Sequence, residues 1–291
     1  MSSPTISVAA ITELRREDPE AIRRRLRERP RFAGTAGAGK LLVIAADHQA
    51  RGALAVGDDP LAMADREQLI ERIGVALSRP GVHGFLGTAD LVEELALLGA
   101  LDHKLVLGSM NRGGVAGTTF EIDDRFTGYD ARGISDAGLD GGKMLLRIDP
   151  GDPASAGALE ACARAVDELA DRGLIALVEP FWSTRVDGKV CNDLTPDAVI
   201  RSATIASGLG RTSAYTWLKL PAVPEMERVL AATTLPTLLL GGEVGPGDPR
   251  EQSWRTAVAA PVVAGLAVGR ALLFPPDGDV AAAVDEAVAL L

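Results

Sequence analysis

Cysteine, lysine and histidine are all scarce in this chain of 291 residues. Its two cysteines, Cys162 and Cys191, exclude a disulfide framework, and a reducing compartment is the simplest expectation. No apolar run reaches the ~18 residues of a membrane span. The N-terminus begins polar and then becomes charged, without the apolar stretch of a signal peptide. We therefore expect a soluble, cytoplasmic protein.

Positive charge is also in deficit, because 30 Lys and Arg residues oppose 40 Asp and Glu residues and give a formal net charge of −10. A nucleic-acid surface needs a basic face that neutralises phosphates, so neither nucleic acid nor an anionic membrane is an expected partner. A small anionic substrate held by a few local cations remains compatible with this balance. The three histidines, His48, His83 and His103, show no ligand spacing, and we expect no metal site.

The chain does contain a regular alternation of short apolar runs and amphipathic helical patterns. The apolar runs lie at 41–47, 82–88, 104–110, 143–149, 174–181, 215–222, 237–243 and 265–274. The helical patterns lie at 61–79, 89–99, 155–173, 195–210 and 252–265, and a charged helical stretch at 11–31 precedes them. Such an alternation is typical of buried parallel strands that are joined by helices.

This pattern predicts an α/β protein, specifically a (β/α)8 TIM barrel with an N-terminal helical extension. We expect a single domain over residues 1–291, in which residues 1–35 form the extension. The alternative is an open doubly wound sheet, which is disfavoured because no dinucleotide-binding glycine fingerprint follows the first strand. The Gly-rich segment between residues 110 and 143 is only weakly helical, and it predicts an active-site loop after the third strand.

The barrel prediction identifies candidate active-site residues, because in this fold the chemistry lies at the carboxyl ends of the strands. The ionisable residues in or directly after the predicted strands are Asp47, His48, Lys143, Glu179, Lys219, Glu243 and Arg270.

Lys219 is the clearest candidate, since it stands between Leu218 and Leu220 in a chain whose other basic residues are mostly arginine. Burial disfavours the ammonium form, and a neutral amine is a nucleophile that can form a Schiff base. Glu179 ends another apolar run, and a buried carboxylate suits proton transfer near neutral pH. The alternative for both is structural, with Glu179 as a permanent counter-ion of Lys219 or of Lys143.

The glycines after the last two predicted strands indicate a phosphate site. Gly269 would let backbone N–H groups approach an anion closely, Arg270 would add a charged donor, and the run 237–248 supplies a second Gly-rich loop. The alternative is that these glycines only form tight turns.

Six motifs together resemble a known group of enzymes: IAADHQARG (44–52), GGKMLLRID (141–149), LVEPF (177–181), WLKLPA (217–222), LLLGGE (238–243) and GLAVGR (265–270). In this order they are similar to the class I aldolases of the deoxyribose-phosphate and tagatose-bisphosphate aldolase superfamily. Within it, the chain most resembles the aldolase-like barrels of inositol catabolism. The resemblance spans residues 40–275, but segment 111–142 and run 181–185 do not match.

The resemblance implies roles for particular residues. Lys219 would be the Schiff-base lysine, Lys143 its neighbouring lysine, Glu179 the acid/base, and Asp47 the acidic residue of the first strand. The residues implied for phosphate binding are Gly241, Gly242, Gly269 and Arg270.

The implied protein is a lyase without metal or cofactor, an aldolase that cleaves a phosphorylated keto sugar or sugar acid. One implied substrate is 2-deoxy-5-keto-gluconate 6-phosphate, which would give dihydroxyacetone phosphate and malonate semialdehyde. The alternatives are another Schiff-base barrel reaction, such as a transaldolase or dehydratase reaction, and a non-catalytic barrel that binds a sugar phosphate. We also expect a homo-oligomer.

Overall fold

The computed structural model describes residues 7–35, 37, 39–111, 114–241 and 256–291. The predicted N-terminal helical stretch consists of two helices, Val8–Glu17 (α1) and Pro19–Glu28 (α2). Asp18 separates them, because its side chain accepts a hydrogen bond from the backbone N–H of Ala21 and Pro19 begins the second helix.

In the described residues, eight parallel strands close into a barrel, which confirms the predicted (β/α)8 fold. The barrel strands are Leu41–Ala46 (β1), Gly84–Gly87 (β2), Leu105–Ser109 (β3), Gly141–Ile148 (β4), Ile175–Val186 (β5), Thr216–Pro221 (β7), Thr237–Leu240 (β8) and Val263–Val268 (β9). Each strand pairs with its neighbour in this order, and β1 pairs with both β2 and β9 to close the ring. A further strand, Lys189–Asp193 (β6), pairs antiparallel with β5.

Helices surround the barrel and follow most of its strands. They are Arg66–Ser78 (α3), Ala89–Leu97 (α4), Ala131–Ala137 (α5), Ala154–Ala170 (α6), Pro196–Ser207 (α7), Met226–Leu230 (α8), Arg270–Leu273 (α9) and Val280–Val288 (α10). A single 3-10 turn, His48–Arg51, follows β1. None of the helices in the described ranges has both the length and the apolar character that crossing a membrane requires.

The strands are apolar on both faces because each face is buried. One set of side chains fills the barrel interior: Leu41, Val43, Ala45, Leu86, Leu105, Leu107, Leu177, Leu238 and Ala267. The intervening residues, such as Leu42 and Ile44, belong to the larger core between the strands and the helices. This two-sided burial explains why the strands appear as nearly continuous apolar runs in the sequence.

Two predicted elements differ from the structure near β9. The run 265–274 is not one strand, because β9 ends at Val268 and Arg270 begins the short helix α9. The helix predicted over 252–265 lies partly outside the described residues, and its last residues belong to β9.

The largest unpredicted feature is the hairpin of β5 and β6. The fifth strand continues five residues beyond the predicted end at Phe181, to Val186, and the chain then returns as β6. The turn between them consists of Asp187 and Gly188, which both have positive φ angles, of 50° and 78°. Such angles at both central residues are those of a tight two-residue hairpin turn, whose twist matches that of the flanking strands. Helices α5, α8 and α10 were also absent from the prediction.

Candidate active site

The strand geometry carries five polar side chains to one end of the barrel interior. On β1, the inward-facing residues Leu41, Val43 and Ala45 are apolar, and Asp47 follows them at the same two-residue spacing. The same spacing leads from Leu105 and Leu107 to Ser109 on β3, and from Leu177 to Glu179 on β5. Lys143 of β4 and Lys219 of β7 complete the set. The barrel interior is therefore apolar toward the amino ends of the strands and polar toward their carboxyl ends.

These side chains form one connected chain of contacts. Lys219 Nζ donates a hydrogen bond of 2.7 Å to Glu179 Oε1, and Lys143 Nζ forms an ion pair with Glu179 Oε2. On its other side, Lys143 Nζ lies 3.1 Å from Asp47 Oδ2, which also accepts a hydrogen bond of 3.0 Å from Ser109 Oγ. The structure thus brings together four predicted residues, Asp47, Lys143, Glu179 and Lys219. It adds Ser109, which was not predicted.

Burial makes these contacts chemically significant. The side chains of Lys143 and Lys219 are only 1% and 4% exposed. Burial raises the pKa of Glu179, but the two adjacent ammonium groups outweigh it and hold that pKa well below its ordinary value. Glu179 is therefore ionised at neutral pH, between the two lysines.

His48, which the sequence placed among the ionisable residues at the strand ends without a catalytic role, borders this group. Its Nδ1 atom is buried and has no hydrogen-bond partner among the residues that the structure describes. A Cβ atom at Gly269 would lie 3.0 Å from His48 Cε1. Burial, with the nearby charges of Lys219 and Arg270, lowers the pKa of His48 to about 3. Its ring is therefore neutral at pH 7.

The predicted phosphate-binding residues lie at the ends of two adjacent strands. Gly241 follows β8 and Gly269 follows β9, and Leu240 pairs with Ala267 just before them. A Cβ atom at Gly269 would lie 2.4 Å from Ala45 O, so close packing against β1 already requires a glycine there. Arg270 Nη1 donates to Ala55 O at 3.2 Å. Gly242 and Glu243 lie outside the described residues.

A loop after β3 folds back over the carboxyl end of β4 and is held there by Arg147. The buried Arg147 side chain binds both carboxylate oxygens of Asp124, at 2.9 and 2.5 Å, and also contacts Glu121. The loop is further joined to the 3-10 turn by a hydrogen bond of 2.8 Å from Ala116 N to Arg51 O. Among the residues with described positions, no group of His, Cys, Asp and Glu side chains is arranged to hold a metal ion.

Comparison with known proteins identifies the family. A model of the Cgl0159-like family matches residues 39–288. The chain belongs to this family. It is 54% identical to Cgl0159 from Corynebacterium glutamicum, whose crystal structure it matches with a TM-score of 0.95 over 100% of this chain and 98% of that chain. Among curated proteins, none matches this Cgl0159-like chain.

More distant structural neighbours of this Cgl0159-like barrel are class I fructose-bisphosphate aldolases. A Schiff-base-forming fructose-1,6-bisphosphate aldolase matches with a TM-score of 0.64 and 20% identity, over 92% of this chain and 99% of that chain. An archaeal fructose-1,6-bisphosphate aldolase, solved with its catalytic lysine covalently bound to the carbinolamine intermediate, matches with a TM-score of 0.63 and 20% identity, over 92% and 98%. At this identity the likeness shows the fold, an aldolase-like barrel.

Proposed function

We propose that this protein is a class I aldolase in which Lys219 forms a Schiff base with a phosphorylated keto sugar or sugar acid. The observation that carries the proposal is the position of Lys219: it is buried in the barrel interior, with Nζ 2.7 Å from Glu179 Oε1. One lysine would be enough for a structural salt bridge with Glu179, whereas Glu179 forms ion pairs with both Lys143 and Lys219. The second lysine supplies a permanent cation beside the group that must lose its proton.

The proposed reaction begins with transfer of the Lys219 proton to Glu179, which is its hydrogen-bond partner. The neutral amine then adds to the substrate ketone, and Glu179 gives its proton to the departing hydroxyl group, so that water leaves and an iminium ion remains. Glu179, again ionised, removes the proton of the hydroxyl group two carbons away. The carbon–carbon bond breaks, its electrons move into the iminium to form an enamine, and the other fragment leaves as an aldehyde. Protonation of the enamine carbon and hydrolysis then release the ketone product and free Lys219.

Lys143 and Asp47 support this reaction without touching the amine. Lys143 stays between the carboxylates of Glu179 and Asp47, so its charge disfavours an ammonium form of Lys219 when Glu179 takes up a proton. Ser109 and Lys143 both donate to Asp47 Oδ2, which fixes that carboxylate at the side of the site.

The substrate phosphate is proposed to bind beside β8 and β9, at Gly241, Gly242, Gly269 and Arg270. The resemblance to inositol-catabolism aldolases favours 2-deoxy-5-keto-gluconate 6-phosphate, with dihydroxyacetone phosphate and malonate semialdehyde as products. In that substrate the phosphate lies next to the ketone, on the fragment that stays bound to Lys219.

The experiment that tests the proposal is borohydride trapping with dihydroxyacetone phosphate, followed by peptide mass spectrometry. We expect reduction to fix an adduct on the peptide that contains Lys219. Lys219→Arg should abolish both the adduct and turnover, because arginine keeps the charge but does not deprotonate in proteins. Lys189→Arg, on the exposed strand β6, is the matched control and should behave like the parent. An unmodified parent, or an adduct that persists in Lys219→Arg, would refute the assignment.

A further inference from the structure

The 3-10 turn His48–Arg51 carries an unusual concentration of unsatisfied polar groups. Within the described part of the chain, the buried side-chain atoms His48 Nδ1, Gln49 Nε2 and Gln49 Oε1 all lack a hydrogen-bond partner. Buried polar atoms in folded proteins are almost always paired, so a cluster of unpaired ones on a single turn requires an explanation. In a 3-10 helix the side chains three residues apart lie on the same face, which places Arg51 on the face of His48.

Arg51 is the charged member of this turn. Within the ranges that the structure describes, its guanidinium donates no hydrogen bond, although the side chain is largely buried. Arg147 lies nearby and differs sharply, because Asp124 and Glu121 satisfy its guanidinium. Burial and the charge of Arg147 lower the pKa of Arg51, and Asp124, Glu179 and Glu121 raise it, so Arg51 stands within electrostatic reach of the catalytic carboxylate.

Arg51 follows β1, which pairs with β9, but its backbone contact lies toward the far side of the barrel mouth. Its backbone carbonyl accepts a hydrogen bond of 2.8 Å from Ala116 N, in the loop that Arg147 holds over the carboxyl end of β4. The groups that interact with Arg51 belong to β4, to β5 and to the loop that Arg147 holds. Arg270 follows β9, which is separated from β5 by β7 and β8 on one side and from β4 by β1, β2 and β3 on the other. Lys219, on β7, lies between β9 and the strand β5, whose Glu179 acts on Arg51. A substrate whose ketone reaches Lys219 therefore extends from Arg270 toward Arg51.

We propose that Arg51 binds a carboxylate on the half of the substrate that leaves as the aldehyde, and that it thereby selects sugar-acid phosphates. This inference rests on the proposed aldolase function and adds the residue that determines specificity. A guanidinium matches a carboxylate in charge and in geometry, since two parallel N–H groups can meet its two oxygens.

The surroundings of Arg51 favour a carboxylate over a second phosphate. Asp124, Glu179 and Glu121 favour the charged form of Arg51, and Arg147 disfavours it, so three carboxylates stand within electrostatic reach of the guanidinium. A phosphate dianion would meet about twice the repulsion from these carboxylates that a monoanion meets, with one unpaired guanidinium to bind it. A neutral aldehyde would leave that guanidinium without a partner.

The test measures carbon–carbon bond formation from dihydroxyacetone phosphate and one of three aldehydes. Malonate semialdehyde carries a carboxylate, glyceraldehyde 3-phosphate carries a phosphate, and glyceraldehyde is neutral. We expect Arg51→Gln to lower kcat/KM for malonate semialdehyde by about ten- to a hundredfold, the scale of one charge-assisted hydrogen bond, and to change the other two by less than about threefold. Arg51→Lys, which keeps the charge but loses the paired donors, should lie between Arg51→Gln and the parent.

Two further measurements distinguish a failure of the proposed aldolase function from a failure of the carboxylate assignment. Borohydride trapping of dihydroxyacetone phosphate should be equal in Arg51→Gln, the parent and the exposed control Arg132→Gln, so its absence in the parent would refute the aldolase function alone. Calorimetric binding of 3-hydroxypropanoate, an unreactive carboxylate of the same length, should be lost only in Arg51→Gln. Retained binding, an equal loss for all three aldehydes, or a loss confined to glyceraldehyde 3-phosphate would overturn the carboxylate assignment.

Discussion

Glu179 is the residue on which the charge balance of the candidate site depends. It is the shared partner of Lys143 and Lys219, and a buried cation that loses its counter-ion becomes costly. The two ammonium groups would then repel each other across the vacated position. The protein can relieve this repulsion by releasing a proton from one lysine, which changes the reactivity of Lys219 without touching it.

We therefore predict that Glu179→Gln separates adduct formation from turnover. The amide removes the charge that favours the ammonium form of Lys219, so the pH midpoint of borohydride trapping should fall and trapping at neutral pH should persist. Turnover should decrease by about 10²- to 10⁴-fold, because the group that moves the protons is lost. The measurement is a pH profile of trapped adduct beside a pH profile of turnover.

Lys143→Met is the matched counterpart, since it removes a positive charge from the other side of Glu179 with little change in volume. Its trapping midpoint should move to higher pH, opposite to that of Glu179→Gln. Superimposable trapping profiles for Lys143→Met and the parent would mean that Lys143 is only a structural cation. Circular dichroism spectra should first establish that both variants are folded.

The sequence identified some site residues and not others for a clear reason. Lys219 and Glu179 interrupt or end apolar strands, so their charge contrasts with their surroundings and is visible without a structure. Ser109 ends a strand as well, but a serine at that place is equally typical of a turn. Arg51 lies in a polar stretch. That its guanidinium donates no hydrogen bond to any described residue becomes visible only when the neighbouring side chains are placed.

At the scale of elements, the buried side chain of Arg29 joins the N-terminal extension to the barrel. Arg29, directly after α2, donates through Nη1 to Leu101 O and Lys104 O, at 3.3 and 3.2 Å. Nη2 donates to Gly138 O at 3.1 Å and lies 3.4 Å from Asp140 Oδ2. These acceptors precede β3 and β4, so Arg29 joins the amino ends of two strands, opposite the candidate active site.

We predict that Arg29→Met destabilises the fold without impairing catalysis. The buried carbonyl groups lose a charged donor, which should lower the free energy of unfolding by about 2–4 kcal/mol. Turnover per folded molecule at 25 °C should match that of the parent, because the site lies at the other end of the barrel. Urea denaturation and a turnover assay measure the two effects.

Arg23→Met is the control for this prediction, since Arg23 is an exposed residue of α2 that pairs only with Glu20. It should change the free energy of unfolding by less than about 0.5 kcal/mol. If Arg29→Met is as stable as Arg23→Met, the extension is held by the apolar residues of α1 and α2 instead.

The alternation of the elements could be predicted because every barrel strand is buried on both faces. The hairpin could not be predicted from apolar runs, since the part of β5 beyond Phe181 and the whole of β6 carry mostly polar, exposed or half-exposed residues. Its signal was of another kind, the dipeptide Asp187–Gly188 between short β-compatible segments, which is typical of a tight hairpin turn. Helix α8 has only five residues, too few for an amphipathic pattern to be recognised.

At the scale of the whole molecule, folding places a histidine where it cannot accept a proton. The pKa of His48 is lowered to about 3 in the folded chain, by burial and by Lys219 and Arg270, from an ordinary value of 6.5. Above pH 6.5 the imidazole is neutral in both the folded and the unfolded state. Between 6.5 and about 3 the unfolded state binds a proton that the folded state does not, so stability decreases as the pH falls through this window.

We predict that His48→Gln flattens the pH dependence of stability on the acid side. A neutral amide cannot be protonated in the unfolded state, so the variant lacks the contribution of roughly 1 kcal/mol per pH unit that His48 makes below pH 6.5. Between pH 7 and 5, the parent should lose about 1–2 kcal/mol more free energy of unfolding than the variant does, as measured by urea denaturation at pH 7, 6 and 5. His103→Asn serves as the control, because His103 is exposed in the folded chain, and its pH dependence should parallel that of the parent. Equal slopes for His48→Gln and the parent would mean that His48 binds a proton as readily in the folded chain as in the unfolded chain, which would contradict its lowered pKa.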